Sequence, residues 1–210
     1  MKKQKILAVQ LPAPCPLGCS FCRTPKHNEG DSEKVIATVL KELPSCDEVY
    51  LTSNGETGLF VGFDELLEKI FNLGKRVSVL CATKASVRSG LTRVEISLNK
   101  FTNDMAKNAI QKAKDLNIPI VISVVDDGST VIDLPKLLTE YGVDGVLVRA
   151  LQNEGRSTSS AGVTRYLKTN DSSIGICPIP AYREIPKNDT IDTFCIDHFG
   201  NHVPYLGIAS

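Results

Sequence analysis

Short runs of β-branched and other apolar residues alternate with longer stretches in which apolar positions recur every three or four residues. The runs are Ile6–Leu11, Glu48–Ser53, Arg76–Ala82, Arg93–Asn99, Ile118–Val125 and Gly145–Ala150, and their length and residue types predict strands. The stretches between them predict helices. Asp31–Leu43 gathers Val35, Ile36, Val39, Leu40 and Leu43 on one face, and Pro44 stops it. Asp64–Leu73 has Asp64 as its N-cap and Gly74 beyond its end. Thr102–Asn117 is capped by Thr102 and directs Met105, Ala109, Ile110, Ala113 and Leu116 inward. Leu134–Tyr141 carries Pro135 in its first turn and Gly142 after its last. Lys84–Gly90, between the third and fourth strands, has room for one helical turn.

Strands alternating with helices imply parallel strands joined by right-handed crossovers. Six of them form either an open sheet or a partial barrel. The fourth run discriminates. In Arg93–Asn99 the odd positions are polar and the even ones apolar, whereas a strand covered by helices on both faces reads as an unbroken apolar run. Alternation implies one helix-packed face and one wet face, as in a barrel lumen that holds a polar ligand. After residue 150 the alternation fades. Asn153–Gly162 reads as a Ser- and Gly-rich loop, followed by short strand runs at Ile174–Ile179, Thr193–Asp197 and His202–Leu206. The last two, separated by Gly200-Asn201, predict a hairpin that caps the barrel. The expected division is residues 1–152 for the barrel and 153–210 for an extension.

A chain of 210 residues supports one sizeable core. Lys+Arg 24 balances Asp+Glu 24, so the charge gives no sign of nucleic acid or an anionic membrane surface as partner. No apolar run approaches the ~20 residues needed to span a bilayer. The basic start, Met1–Lys5, is followed by an apolar run too short for a signal peptide and broken by Pro12 and Pro14. Seven cysteines, three of them crowded together, fit a reducing cytoplasm and a metal site better than a disulfide framework.

The crowded three lie in Cys15-Pro16-Leu17-Gly18-Cys19-Ser20-Phe21-Cys22-Arg23, just after the first strand run. The spacing is C-x3-C-x2-C. Three thiolates in one short loop can hold three corners of a cubane iron–sulfur cluster and leave the fourth iron open to a ligand. Gly18 and Pro16 suit a loop that folds tightly around such a cluster. A structural zinc site with His27 as fourth ligand and three unliganded thiols are the alternatives.

The loop resembles the cluster signature of the radical S-adenosylmethionine (radical SAM) enzymes in its spacing, its aromatic before the last cysteine and its place after the first strand. The resemblance implies an α/β fold, a (β/α)6 partial TIM-type barrel with a short C-terminal hairpin extension. It implies a 4Fe-4S cluster on Cys15, Cys19 and Cys22, and S-adenosylmethionine (SAM) bound at the open iron, with Phe21 near the adenine. Asn54-Gly55-Glu56 looks like the family's Gly-Gly-Glu motif, with Asn54 in place of the first glycine. The resemblance puts backbone groups and Glu56 against the amino group of the methionine moiety, and Asn54 is acceptable there because asparagine tolerates positive φ. Ser97, Asn99 and Ser123, with Glu95 on the same strand face, are candidates for the ribose and carboxylate. Thr83 and Arg149 lie at the strand-end rim, and Val148–Leu151 matches the strand that supports the adenine.

In the family, reductive cleavage of SAM gives a 5′-deoxyadenosyl radical that takes a hydrogen atom from the substrate. For this chain the resemblance implies a small-molecule or peptide substrate and an external electron donor such as flavodoxin or ferredoxin, with no nucleic acid and no membrane. Cys46 and Cys81 read as buried core thiols. Cys177 and Cys195 are candidates to return a hydrogen atom to a product radical, to bind a metal with His198 or His202, or to be structural. A glycyl-radical activase acting on a protein partner is the rival reading, and a non-catalytic iron–sulfur or zinc protein is the alternative of another class.

Overall fold

The computed structural model describes residues 4–19, 22, 29–99, 102–126, 133–150, 165–168 and 191–203. The six strand runs form six parallel strands in chain order, β1 (Gln4–Leu11), β2 (Glu48–Ser53), β3 (Arg76–Cys81), β4 (Arg93–Ser97), β5 (Ile120–Asp126) and β6 (Gly145–Ala150). Three further strands extend the sheet. β7 (Arg165–Lys168) pairs antiparallel with β6, β8 (Ile191–Ile196) pairs parallel with β1, and β9 (His202–Val203) pairs antiparallel with β8. The order is β7-β6-β5-β4-β3-β2-β1-β8-β9. The sheet is open, as a partial barrel is.

Helix α1 (Ser32–Glu42) starts where Asp31 accepts a hydrogen bond from the Lys34 N–H at 2.9 Å, and it buries Val35 and Val39. Helix α2 (Phe63–Asn72) starts one residue earlier than its sequence suggests. Its cap is Gly62, at φ +87°, with no side-chain hydrogen bond. Asp64 is instead inside the first turn and pairs with Arg88 at 2.7 Å. Helix α3 (Asn103–Asp115) buries Ala106, Ala109, Ile110 and Ala113. Met105 and Leu116, expected inside, are exposed; Met105 lies beside the face that the alanines set, and Leu116 is the C-cap, where the helix has ended. Thr102 occupies the cap position without capping; its hydroxyl donates to the Ser97 carbonyl at 2.8 Å and accepts from the Asn99 N–H at 3.0 Å. Helix α4 (Leu134–Tyr141) is capped by Asp133 and ended by Gly142 at φ +54°. The helical turn between β3 and β4 is Lys84–Ser86.

Two apolar layers follow from strand alternation. Leu7, Val9, Val49, Leu51, Val77, Val79, Val94, Ile96 and Ile122 join the helices in the main core. Their sheet neighbours Ile6, Ala8, Tyr50, Val121, Leu147 and Cys195 form a smaller cluster on the opposite, inner face. The expected tail hairpin is present as β8 and β9, and its first strand continues the sheet alongside β1. Ile174–Ile179 lies outside the described residues.

Candidate active site

All the predicted site residues that can be placed lie at or near the C-terminal ends of the parallel strands, the end at which β/α barrels place their chemistry. The chain leaves β1 through buried Pro12 and Ala13 and enters the cysteine loop. Cys15, Cys19 and Cys22 are all half-buried, and the Cys22 N–H donates to the Cys19 carbonyl at 3.2 Å, which turns the second half of the loop tightly. Burial pushes the Cys15 thiol up, and the negative charges of Glu56 and Cys22 push it the same way, against the Leu17 N–H. A cation placed here reverses that balance, because the thiolate is the ligating form. Among the described residues no three His, Cys, Asp or Glu side chains converge in metal-ligating geometry. A cubane cluster takes each thiolate on a different iron, so the three thiols need not converge on one point. As a donor set they suit an iron–sulfur cluster, with three soft thiolates in eight residues at a strand end. Gly18 meets no protein atom where a Cβ would be. Phe21 and His27 lie outside the described residues.

The turn after β2 is built onto this loop. The Asn54 side chain accepts from the Ala13 N–H at 3.0 Å and donates to the Glu29 carbonyl at 2.7 Å. The Glu56 N–H donates to the Pro14 carbonyl at 2.9 Å. A Cβ on Gly55 would collide with the Ala13 carbonyl oxygen and come within 2.7 Å of the Pro14 carbonyl oxygen, so the glycine is needed for close approach. Asn54 itself does not have positive φ; Asn117 is the described non-glycine that does. The expectation that left-handed tolerance explains Asn54 is thus corrected.

Glu56 is only 2% exposed. Its carboxylate accepts from the Ala82 N–H at 2.9 Å, the Thr83 N–H at 3.4 Å, the Thr83 hydroxyl at 3.1 Å and the Ser86 hydroxyl at 2.6 Å. Burial pushes the carboxyl above the usual range, and these hydrogen bonds pull it back. Glu56 therefore joins the ends of β2 and β3. Thr83, expected at the rim, is one of its donors.

Farther along the rim, Ser97 of β4 and Ser123 of β5 are in register. Ser123 is buried, and the Asn99 amide donates to the Ser97 hydroxyl at 3.4 Å. Arg149 is on β6 in register with Val125. Below the rim the inner face differs from the wet lumen that the β4 alternation suggests. Glu95 is buried and accepts from the Tyr50 hydroxyl at 3.1 Å. A polar residue on a strand marks this inner face, but here it satisfies a buried hydrogen bond. Cys195 is on the same face, in register with Ala8 and packed in the inner apolar cluster. Cys177 lies outside the described residues. Cys81 is buried as expected, and burial, with Glu56 and Glu95 nearby, holds its thiol well up.

Sequence reasoning missed the exit of the cysteine loop. The Asp31 N–H donates to the His198 carbonyl at 2.9 Å, and the His198 ring meets the Gln10 side chain at 2.8 Å. Gly30, at φ +146°, lets the chain pass that carbonyl, which a Cβ would strike. Lys34 donates to Asn201 at 2.7 Å and Thr38 to the Gly200 carbonyl at 3.2 Å. The β8–β9 turn is thereby docked on the start of α1. A glycine just before the Asp31 cap was the one available signal.

The fold has counterparts among solved structures. Streptococcus suis SuiB bound to the precursor peptide SuiA aligns with a TM-score of 0.52 and 15% identity over 70% of this chain and 39% of SuiB. A second SuiB structure gives a TM-score of 0.52 and 13% identity over 92% of this chain and 50% of that one. The likeness is one of fold alone, an open, mostly parallel α/β sheet of the partial-barrel kind. The chain thus spans half or less of the length of SuiB. A weaker likeness, with a TM-score of 0.45, links it to archaeal TYW1 at 15% identity over 68% of this chain and 64% of that one. No protein-family model and no curated protein sequence matches the chain.

Proposed function

We propose that this chain is a radical SAM enzyme, with Cys15, Cys19 and Cys22 holding a 4Fe-4S cluster and SAM bound at its open iron. The observation that carries the reading is the position of these half-buried thiols, on the loop that leaves β1 at the strand-end rim of a partial barrel. Held by Cys15, Cys19 and Cys22, such a cluster would supply one-electron reduction of SAM and with it the means of taking a hydrogen atom from a substrate.

The chain's own groups bind and orient. The turn Asn54-Gly55-Glu56 packs on the start of the cysteine loop through Ala13 and Pro14, and the buried charge of Glu56, which reaches Cys15, favours a cationic amine and sulfonium nearby. Ser97, Asn99 and Ser123 offer hydroxyl and amide groups to the ribose and carboxylate, with Phe21, Thr83 and Arg149 completing the cofactor set. Cys195, on the inner face, and Cys177 are the candidates to return a hydrogen atom to a product radical.

The substrate is a peptide or a small molecule. SuiB, whose structure holds a precursor peptide, favours the peptide. A flavodoxin- or ferredoxin-type protein supplies the electron, and nucleic acid and membrane play no part. No described helix is long and apolar enough to cross a membrane, and a reducing cytoplasm suits the thiols. Residues 1–152 form the catalytic unit and 153–210 an extension that closes it.

Anaerobic reconstitution with iron and sulfide, followed by reductant and SAM, should give a bound 4Fe-4S cluster and 5′-deoxyadenosine. Zinc bound without sulfide, or no 5′-deoxyadenosine from fully loaded protein, would overturn the reading.

A further inference from the structure

Asn54 is 1% exposed, and both ends of its amide are used on the same loop. Its oxygen takes the Ala13 N–H at the loop's entry and its nitrogen gives to the Glu29 carbonyl at the loop's exit. The orientation is unambiguous, because a backbone N–H needs the oxygen and a backbone carbonyl needs the NH2 group. We infer that Asn54 is a positioning residue that fastens the two feet of the cysteine loop together and so sets where the three thiols stand.

Three observations support this. No strained backbone demands an asparagine here, since Asn54 is not among the residues with positive φ. A glycine, which the motif it resembles has at this place, offers neither amide atom. The neighbouring contacts, the Glu56 N–H to the Pro14 carbonyl and the close passage of Gly55 over Ala13, hold only the entry of the loop. Within the β2 turn, Asn54 reaches the exit as well. Cross-linking both feet, with one buried and one partly buried hydrogen bond, lowers the number of shapes open to the loop between them. The clamp itself rests on geometry alone; its bearing on chemistry rests on the cluster reading above.

The test uses the full chain, first without metal. Asn54→Ala should raise the alkylation rates of Cys15, Cys19 and Cys22 about tenfold by freeing both feet, and leave Cys46 and Cys81, the buried references, unchanged. Asn54→Asp keeps an acceptor for the Ala13 N–H and lacks the donor for Glu29. Hydrogen exchange should then stay slow at Ala13 and quicken at residues 29–31. If Asn54→Ala exposes Cys46 and Cys81 too, it has unfolded, and the split exchange pattern of Asn54→Asp decides. After loading with iron and sulfide, both variants should show an altered electron paramagnetic resonance signal of the reduced cluster and lose iron to a chelator faster than the parent. Folded variants whose loop labelling, exchange and cluster signal all match the parent would overturn the inference. If the parent takes up no iron and sulfide but the labelling difference remains, the clamp stands and the cluster reading falls.

Discussion

Strand β2 has a buried glutamate at each end, and the two are treated in opposite ways. Glu48, at the N-terminal mouth of the barrel, faces Arg76 at 3.5 Å and Arg93 at 3.8 Å, and accepts from the Ser78 hydroxyl at 2.7 Å and the Gln4 amide at 3.1 Å. Its charge is answered by cations. Glu56, just past the C-terminal end, accepts from backbone N–H groups and hydroxyls that carry no charge. Among the described residues no cation faces its negative charge, and Cys15 feels it. Among the described residues one mouth pairs its buried carboxylate with cations, while the other leaves its carboxylate to neutral donors beside Cys15. That asymmetry suits a site that receives a cationic guest.

The comparison can be broken most completely at the loop. Cys19→Ala should abolish iron–sulfur absorbance and 5′-deoxyadenosine together while leaving the thermal midpoint near that of the parent, since the residue is half-buried in a loop. Product without the cluster would remove the loop from the chemistry.

At the same mouth, Glu56→Ala leaves four buried or half-buried donors without their acceptor, and should cost about 3 kcal/mol in urea unfolding. A loss within error would mean that the Ala82–Ser86 turn is held by other contacts. At the opposite mouth, Glu48→Ala should cost less, about 1–2 kcal/mol, because Arg76 is largely exposed and water can replace the ion pair. It should leave cluster loading unchanged. Weakened loading in this variant would show that the two mouths are not independent.

The smallest effect concerns His198. Burial lowers its pKa, against the charges of Asp197 and Glu29, so the unfolded chain binds more protons between that lowered value and the ordinary 6.5. Stability should rise with pH through that window and fall as pH drops below 6.5. His198→Asn should flatten this slope in unfolding free energy measured across pH. An unchanged slope would assign the acid sensitivity to other groups.

The six parallel strands were legible because each is a compact apolar run between caps and breakers. Misreadings came where a local rule met a tertiary one. Asp64 has the chemistry of a cap, but Arg88 takes it and Gly62 starts the helix. Met105 fits a helical period, but Ala106, Ala109 and Ala113 set a close-packed face one position away. The alternation in β4 correctly marked two faces, yet Glu95 is bonded to Tyr50 and not to solvent. The cysteine spacing pointed to the loop directly. The fastening of that loop by Asn54, Gly30 and His198 depends on contacts between distant segments, for which one sequence carries no period.

The pairing of β8 with β1 has a consequence for biosynthesis. β8 follows β1 by more than 180 residues, so the edge of β1 that it covers, Gln4 through Val9, has no strand beside it until β8 has been made. Such an apolar edge is a template for wrong pairing. Folding of the sheet should therefore be completed only after β8 has been synthesised.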